Sequence, residues 1–568
     1  DDTMTTPVTI TFLGGRGEIG RNCACLEYDG QAVLLDCGLE FSDEFSPGVD
    51  KLICDYRYLH DMDSELVAVV ATHGHEDHIG AIPSLLREFS VPIYGSEMTL
   101  GLVAGKLDSE GLADRTELRS VADNEAYDIG PFEFEFLPIT HSIPHGFASA
   151  IHTEHGVIVH SGDFKLDLAP VDGRMPDLSR VGSLAAGEGI RLLLSDSTNS
   201  ESAGWSVSET EIGASLDEMI RARSDRRIIV GTFASHLHRV QQIVDAGLAA
   251  GRTIVPLGRS MHRNLRVARD LGLVTIPDDR VRDIEDIQEL EPHEVLIVGT
   301  GSQAEPRSAL ALMAEGESKW VEIGPDDTVS LSSTPIPGNE RRITHVINAL
   351  LDVGAEVIHS ATHKVHTTGH GQADELRTLL TVAQPEYFTP VHGELRHMRR
   401  HGHLAEGVGI DAEHIIICRD GDQLILDADG VRRRAEVTAP GPVYLHGKGA
   451  VGRGVLDQRM QLGREGFVSV FVTVDEASHT LLSGPDVVSQ GWVDANHGVL
   501  DALADAVADA LEELLDGDAE LSESTLERAV RRTTGQWVNA QTGRRPPVIP
   551  VVHLIHSRRT PQRPRVDS

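Results

Sequence analysis

The chain has 568 residues, 40% hydrophobic and 24% charged, an ordinary globular profile with room for about three to four domains. No run approaches the ~20 apolar residues that span a bilayer, and no signal-peptide pattern opens the chain, so a cytoplasmic protein without a membrane anchor is expected. The formal charge of −38 is read as serving solubility; it repels a polyanion at long range, so a nucleic acid would need a locally basic channel, and basic clusters exist at Arg259 and Arg263 and at Arg396, Arg399 and Arg400.

In chain order, residues 8–13 read as a strand, and residues 25–28 and 32–35 as a hairpin turning at Asp29-Gly30. Between them, Gly15 to Gly20 matches the G-x-G-x-x-G dinucleotide fingerprint, with Asp36 about twenty residues on. That motif needs a helix next, and residues 22–28 have no helical apolar period, so dinucleotide binding is rejected. The five cysteines, Cys23, Cys25, Cys37, Cys54 and Cys418, contain no C-x-x-C pair. Their odd number argues against a disulfide framework or a thiolate metal site and for a reducing compartment. Residues 66–71 form a buried strand that runs into His73-Gly74-His75-Glu76-Asp77-His78, and residues 79–86 read as the start of a helix. Three imidazoles and a carboxylate thus follow the end of a rigid strand. One metal cannot easily use all four from so short a loop; two adjacent metals can, with His73 and His75 on one and Asp77 and His78 on the other. This H-x-H-x-D-H pattern resembles the metallo-β-lactamase superfamily. Asp36 then fits as a carboxylate that orients the ligand loop.

Further strands at 132–137, 157–160 and 192–195 each end near a polar residue of interest. His141 is placed to complete the first metal, Asp163 to bridge both through its two oxygens, and His392 to complete the second. His145, His152, His155 and His160 are read as structural, His145 being the competitor of His141. Imidazole and carboxylate ligands without thiolate suit zinc, with manganese or magnesium as alternatives. A pair of ions ~3.5–4 Å apart supplies a nucleophile near neutral pH and neutralises charge on a phosphoryl oxygen.

From about residue 209 the pattern becomes strand–helix alternation, with buried strands at 227–233, 253–257 and 294–299, a doubly wound α/β unit. After about 353 the histidine-bearing strand ends resume at 386–392. The expected organisation is a catalytic domain in two parts, 1–208 and 353–437, interrupted by an inserted domain at 209–352. A Gly/Pro-rich linker is expected at 438–460, a small α/β domain at 461–556 and a disordered tail at 557–568.

With Asp196 in Ser195-Asp196-Ser197-Thr198-Asn199, His370 in His366-Thr367-Thr368-Gly369-His370 and His392 in Pro390-Val391-His392, the chain resembles the β-CASP nucleases, and within them bacterial ribonuclease J, over almost its whole length. The family carries Val-Ser where this chain has Thr367-Thr368; a hydroxyl persists at the second position. The resemblance implies a metallo-β-lactamase αββα sandwich interrupted by an α/β β-CASP domain, plus a small C-terminal α/β assembly domain. It implies a two-zinc ribonuclease, a 5′→3′ exonuclease and endonuclease in messenger decay and ribosomal RNA maturation that leaves 5′-phosphate products. Asp77, His78, Asp196 and His370 would be catalytic, Asp196 orienting His392 or His370 and His370 stabilising the scissile phosphate or protonating the leaving oxygen. Phe233, Ala234, Ser235 and the loop His366, Thr367, Thr368, Gly369 and His370 would hold the RNA 5′ end, with Arg239, Lys364 and Arg396 as further backbone contacts. The implied partners are RNA, a second or further copies of the chain (homodimer or homotetramer) and other RNA-decay proteins. The rival readings are a DNA-directed nuclease, a small-molecule metallohydrolase and a metal-less RNA-binding scaffold.

Overall fold

The computed structural model describes residues 6–43, 46–303, 308–335, 339–439, 441–447, 449–492, 497–517 and 521–556. The tail expected to be disordered lies outside the described residues. The described chain divides into two compact units: one holds the catalytic sheets and the insertion, the other combines Ser42–Asp50 with the terminal segment from Tyr444.

In the first unit an eight-stranded sheet and a six-stranded sheet share one core. Ile10, Phe12, Leu26, Val33 and Val70 of the first meet Phe134, Phe136, Ile158, Leu192 and Leu194 of the second. These residues alternate with outward-facing ones along each strand, which places one face of each sheet in the common core. The opposite face of the six-stranded sheet, with Leu137, Ala150, Val159 and Leu193, is covered by Leu376, Leu379 and Leu380 of helix Ala373–Ala383 and Leu404 of helix Leu395–Gly407. The result is the metallo-β-lactamase sandwich, and its fold class is α/β.

The expected hairpin forms between Cys23–Tyr28 and Gln31–Leu35, with Asp29 at φ 49 and Gly30 at φ 76 in the turn. Gly15 to Gly20 leads into that hairpin's first strand rather than a helix, since only the short strand Arg16–Gly17 intervenes. Strands Gly156–His160, Ile190–Asp196 and Tyr387–Val391 run parallel and adjacent. Asp196 therefore ends its strand beside the strand that leads to His392.

The insertion is a five-stranded, all-parallel sheet in the order Thr253–Leu257, Val295–Gly299, Arg227–Gly231, Asp327–Leu331, Glu356–His359. Its last two strands were not anticipated. Glu356–His359 pairs with Asp327–Leu331, so the inserted sheet runs past the expected boundary at 352. Val357 and Ile358 are the only two apolar residues in that strand, too few to register as a pattern. The expected linker at 438–460 also differs from expectation. It contains an antiparallel pair, Val443–His446 with Gly449–Val451, and the start of helix Arg453–Glu465. Tyr444, Leu445 and Val451 supply enough strand-forming side chains to override the surrounding glycines.

In the second unit, Phe467–Asp475 is the central strand between Thr480–Gln490 (antiparallel) and Val548–Ile555 (parallel). Val468, Val470, Val472 and Val474 pack on Leu503, Val507 and Leu511 of helix His497–Leu515 and on Leu526, Val530 and Val538 of helix Glu523–Thr542. On the other face Phe471, Val488 and Ile549 remain 41–51% exposed. No described helix is long and apolar enough to cross a membrane.

Candidate metal centre

The strand Glu65–Val70 delivers His73 and His75 directly, but Asp77 and His78 lie on a one-turn helix, Glu76–Ile79, rather than on a loop. Cys37 N donates to His78 O at 2.8 Å and Asn22 N to Asp77 O at 2.9 Å, so that turn is seated on the end of a neighbouring hairpin. Gly38 is required there: a Cβ on it would fall 1.6 Å from Asp77 O.

Four overlapping groups of potential ligand atoms result among the described residues, each with all its ligand atoms within 4.8 Å of one another. Two of them are His141, Asp163 and His370, and Asp196, His370 and His392. The two that contain the expected ligands are His73, His75 and His141, the first, and Asp77, His78, Asp163 and His392, the second. Asp163 Oδ2 reaches both, at 3.8 Å from His73 Nε2, 3.9 Å from His141 Nε2, 3.2 Å from His78 Nε2 and 3.5 Å from His392 Nε2. All seven residues expected as ligands are brought together. His145, His152, His155 and His160 belong to neither group. His152 faces Glu135, His155 faces Thr6 O, and His160 accepts from Gly162 N. His145 lines a cleft beside the first group, together with His141, Lys165, His236, His238 and Thr368.

In His73, His78, His141 and His392 the outer ring nitrogen is fixed by a polar partner, which aims the other nitrogen inward. His141 Nδ1 donates to Gly369 O at 2.6 Å. His78 Nδ1 donates to Asp36 Oδ2 at 2.7 Å, and the same carboxylate accepts from Thr72 N (2.8 Å) and Thr72 Oγ1 (2.9 Å). Thr72 Oγ1 in turn lies 3.0 Å from His73 Nδ1. Thr198 Oγ1 donates to Asp196 Oδ1 (2.8 Å) and accepts from His392 Nδ1 (2.7 Å). Asp36 and His392 both hold positive φ, 62 and 51, a conformation that costs of order 1 kcal/mol and persists only where its surroundings fix it.

The donor set fits cations. His73 Nε2 and His141 Nε2 both approach His75 Nδ1, at 3.1 and 3.0 Å. A single ring N–H satisfies only one of these contacts; a metal among the three nitrogens satisfies all. Burial holds His73 and His141 well below the usual imidazole range and brings His75 down to about 4, so these rings are neutral and ready to coordinate. In the second group burial again disfavours charge, but carboxylates outweigh it. Asp163, Asp77 and Asp36 raise His78, and Asp163 with hydrogen bonds to Asp196 and Asp77 raises His392 to about 10. Burial opposes ionisation of Asp163, yet His392 and His78 hold it well below the carboxylate range.

Beside the second group, His370 Nδ1 donates to Asp196 Oδ2 at 2.6 Å, and its ring stacks 5.4 Å from that of His392. Burial disfavours the charged ring, but Asp196 raises its affinity for a proton. Asp196 thus touches His370 directly, and reaches His392 both directly, with Oδ1 3.4 Å from Nδ1, and through Thr198. The loop bearing His370 is pinned by Asn199, whose Nδ2 donates to Thr368 Oγ1 (2.7 Å) and His370 O (3.1 Å). Thr198, Asn199 and Asn22 were given no role from sequence. Their signal was adjacency alone: two follow Asp196, and Asn22, whose Nδ2 lies 3.2 Å from His78 Nε2, closes the rejected glycine motif.

The expected RNA-binding residues divide. Phe233, Ala234 and Ser235 are half-buried between strand Arg227–Gly231 and helix Leu237–Ala249, with Ser235 just ahead of a helix N-terminus. His366 is half-buried and Thr367 is buried: the Thr367 hydroxyl donates to Val207 O at 2.8 Å, so its proton is committed within the fold. Thr368, Gly369 and His370 are half-buried. Arg239 is fully buried against Glu209, Ser332 and Val365 and cannot contact an RNA backbone. Lys364 faces Glu211, and Arg396 faces Glu201 and Glu394 at the surface.

Family models match in four consecutive stretches: metallo-beta-lactamase superfamily at 16–185, ribonuclease J beta-CASP domain at 225–350, Zn-dependent metallo-hydrolase RNA specificity domain at 355–415, and ribonuclease J C-terminal domain at 454–555. Ribonuclease J of Mycolicibacterium smegmatis is 39% identical over 549 residues, covering 96% of both chains. That of Thermus thermophilus is 39% identical over 562 residues, 96% of this chain and 95% of its own, and ribonuclease J 1 of Streptococcus pyogenes is 38% identical over 86% of both. A solved Enterococcus faecalis protein of unknown function shares the fold, with a TM-score of 0.53 at 15% identity over 74% of this chain and 100% of its own. With its ligand clusters, its interrupted sandwich and this coverage, the chain belongs to the ribonuclease J family of metal-dependent, metallo-β-lactamase/β-CASP ribonucleases.

Proposed function

We propose that the protein is a two-zinc enzyme that degrades RNA from the 5′ end and also cuts internally, in messenger decay and ribosomal RNA maturation in the cytoplasm. The observation that carries the reading is the reach of Asp163 into both ligand groups with the Asp196–His370 pair alongside. His73, His75 and His141 would hold one ion, Asp77, His78 and His392 the other, and Asp163 both; zinc suits this donor set, with Mn2+ or Mg2+ as alternatives. Such a pair supplies an activated water and neutralises charge at the phosphate.

The chain's own groups do the rest. Asp196 accepts the Nδ1 proton of His370 and favours the doubly protonated ring, whose Nε2–H donates its proton to the scissile phosphate or the leaving 3′ oxygen. Thr198 keeps His392 in the orientation its strand end imposes. Ser235 ahead of its helix, with Thr368, Gly369 and His370, offers hydroxyl, imidazole and backbone donors for a single terminal phosphate. Charge-assisted bonds of this kind are worth roughly 1.5–3 kcal/mol each. A 5′-monophosphate fits that role; a triphosphate brings extra charge into an acidic protein, and a 5′-hydroxyl forgoes the bonds.

The test uses RNAs identical except at the 5′ end, with DNA of equal sequence as a further arm. Processive mononucleotide release should be fastest from monophosphorylated RNA, with internal cuts less affected. Equal exonucleolytic rates on all RNA ends would remove the phosphate pocket, and equal cleavage of DNA would remove the RNA preference. We further propose that the second unit is the assembly module of a homodimer or homotetramer, through the apolar row Phe471, Val488 and Ile549. Phe471→Asp should then lower the mass seen by light scattering; an unchanged mass would count against this face.

A further inference from the structure

Helix Ala373–Ala383 starts just after His370, and its third residue, Glu375, is a carboxylate with no exposed surface. It accepts four hydrogen bonds. Oε1 receives Leu166 N at 2.9 Å and Ser206 Oγ at 2.8 Å; Oε2 receives Ser206 N and Gln372 N, both at 2.8 Å. A carboxylate this deep is tolerated only when its lone pairs are filled. Capping the helix needs only the bond from Gln372. The other three come from outside the helix, and their sources matter. Leu166 lies just beyond Asp163, Gln372 just beyond His370, and Ser206 on the loop that leaves Asp196 through Thr198 and Asn199.

Neighbouring backbone bonds follow the same seam. Gly371 N donates to Phe164 O at 2.6 Å, and Ala373 N to Ser202 O at 2.9 Å. Packing there is close: a Cβ on Gly371 would lie 3.2 Å from Glu375 Cβ. The three loops that bear Asp163, Asp196 and His370 therefore meet on one side chain that reaches no ligand itself.

We propose that Glu375 is a positioning residue for RNA cleavage: it fixes the His370 loop against those of Asp163 and Asp196 and so sets the aim of His370. The proposal rests on the reading that His370 acts on the scissile phosphate. Glutamine fills the same space but presents an NH2 where two of the four donors point, so Glu375→Gln leaves donors facing donors. The loops would then shift while the core behind them stays.

The experiment compares Glu375→Gln with Leu380→Ala, a core truncation in the same helix whose side chain is 1% exposed, at a temperature where both remain folded. For Glu375→Gln, kcat at saturating RNA should fall roughly ten- to a hundredfold, as for other partners of active-site groups, with KM and bound metal per chain unchanged. Leu380→Ala should lower Tm at least as far and leave kcat intact. In metal-free protein carrying 15N-histidine, the His370 ring N–H signal should move in the first variant and not in the second. A kcat for Glu375→Gln within about twofold of the parent, or an equal loss in Leu380→Ala, would reduce Glu375 to a helix cap and overturn the proposal. If Glu375→Gln fails to fold, Ser206→Ala, which removes one of the four bonds, decides: a several-fold fall in kcat alone supports the proposal and parent turnover overturns it. His370→Ala separates the two readings. Full turnover in that variant sinks the role of His370, whereas an inactive His370→Ala beside an unimpaired Glu375→Gln sinks the positioning alone.

Discussion

The two halves of the histidine cluster grow from the same hexapeptide yet are set in opposite protonation states. His73, His75 and His141 are buried among one another, and although Asp163 and Asp77 favour the charged form, burial and the neighbouring rings outweigh them and the metal-free rings stay neutral. His78 and His392 are equally buried, but Asp36, Asp77, Asp163 and Asp196 surround them and the rings hold protons. One half is ready for a cation. The other must release protons to take one, which ties its metal affinity to pH.

The largest effect should come from destroying the carboxylate-rich half. Asp77→Lys with His78→Ala should abolish RNA cleavage, by more than the roughly 10–100-fold that an outer partner costs, while the circular dichroism spectrum stays that of the parent. Near-normal turnover after metal reconstitution would break the division of the cluster into two ion sites. Next in size are His75→Ala and His392→Ala. Each should lower the metal bound per chain by one ion, measured by elemental analysis after dialysis. If either variant loses both ions, the halves are not separable.

Outer partners sharpen the contrast. Thr198→Val removes the bond to His392 Nδ1 and Asp36→Asn weakens that to His78 Nδ1. Each should reduce activity or metal affinity roughly 10–100-fold, with His73, His75 and His141 still binding. Loss confined to the first half would contradict the assignment.

The smallest effect is thermodynamic. In chelated protein, His75 lies near 4 when folded and at the ordinary 6.5 when unfolded, so the unfolded chain takes up the extra proton and stability falls as pH drops from 6.5 to about 4. His160 and His236, also near 4, act in the same direction. His392, raised to about 10, contributes stability that is complete below 6.5 and is lost as pH rises towards 10. Metal-free protein should therefore have its highest Tm near pH 6.5 and decline on both sides. Calorimetric metal titrations at pH 7.5, in buffers of differing ionisation enthalpy, should show proton release that diminishes in His392→Ala, with the share of His78 remaining. Proton release undiminished in that variant would place the titrating group elsewhere.

Much of this was legible before any coordinates. The hexapeptide, His141, Asp163, Asp196 and His392 each follow the end of an apolar strand, a local pattern that burial and strand periodicity impose on sequence; His370, in the loop between Glu356–His359 and helix Ala373–Ala383, was legible only through the family resemblance. The parallel strands of the insertion were legible where they are long and apolar, as at 295–299, and were missed at 356–359, where two apolar side chains suffice because a neighbouring strand supplies the rest of the burial. Arg239 illustrates the opposite error. As a cation near a candidate phosphate loop it reads as an RNA contact, but Glu209 and the carbonyls of Ser332 and Val365 take it into the interior.

The amino-acid sequence by itself determined which side chains could ligate a cation and in what chain order the strands deliver them, because ligand type and strand period are local properties. Only the tertiary structure decided their electrostatic state and their supports. Whether a buried imidazole is neutral or charged depends on carboxylates brought from Asp36, Asp163 and Asp196, distant in the chain. The partners that aim the rings (Thr198, Asn199, Gly369 and Glu375) are ordinary polar or small residues whose roles exist only once three loops converge. Desolvation and hydrogen bonding act through space over a few ångströms, and sequence separation carries no record of that distance.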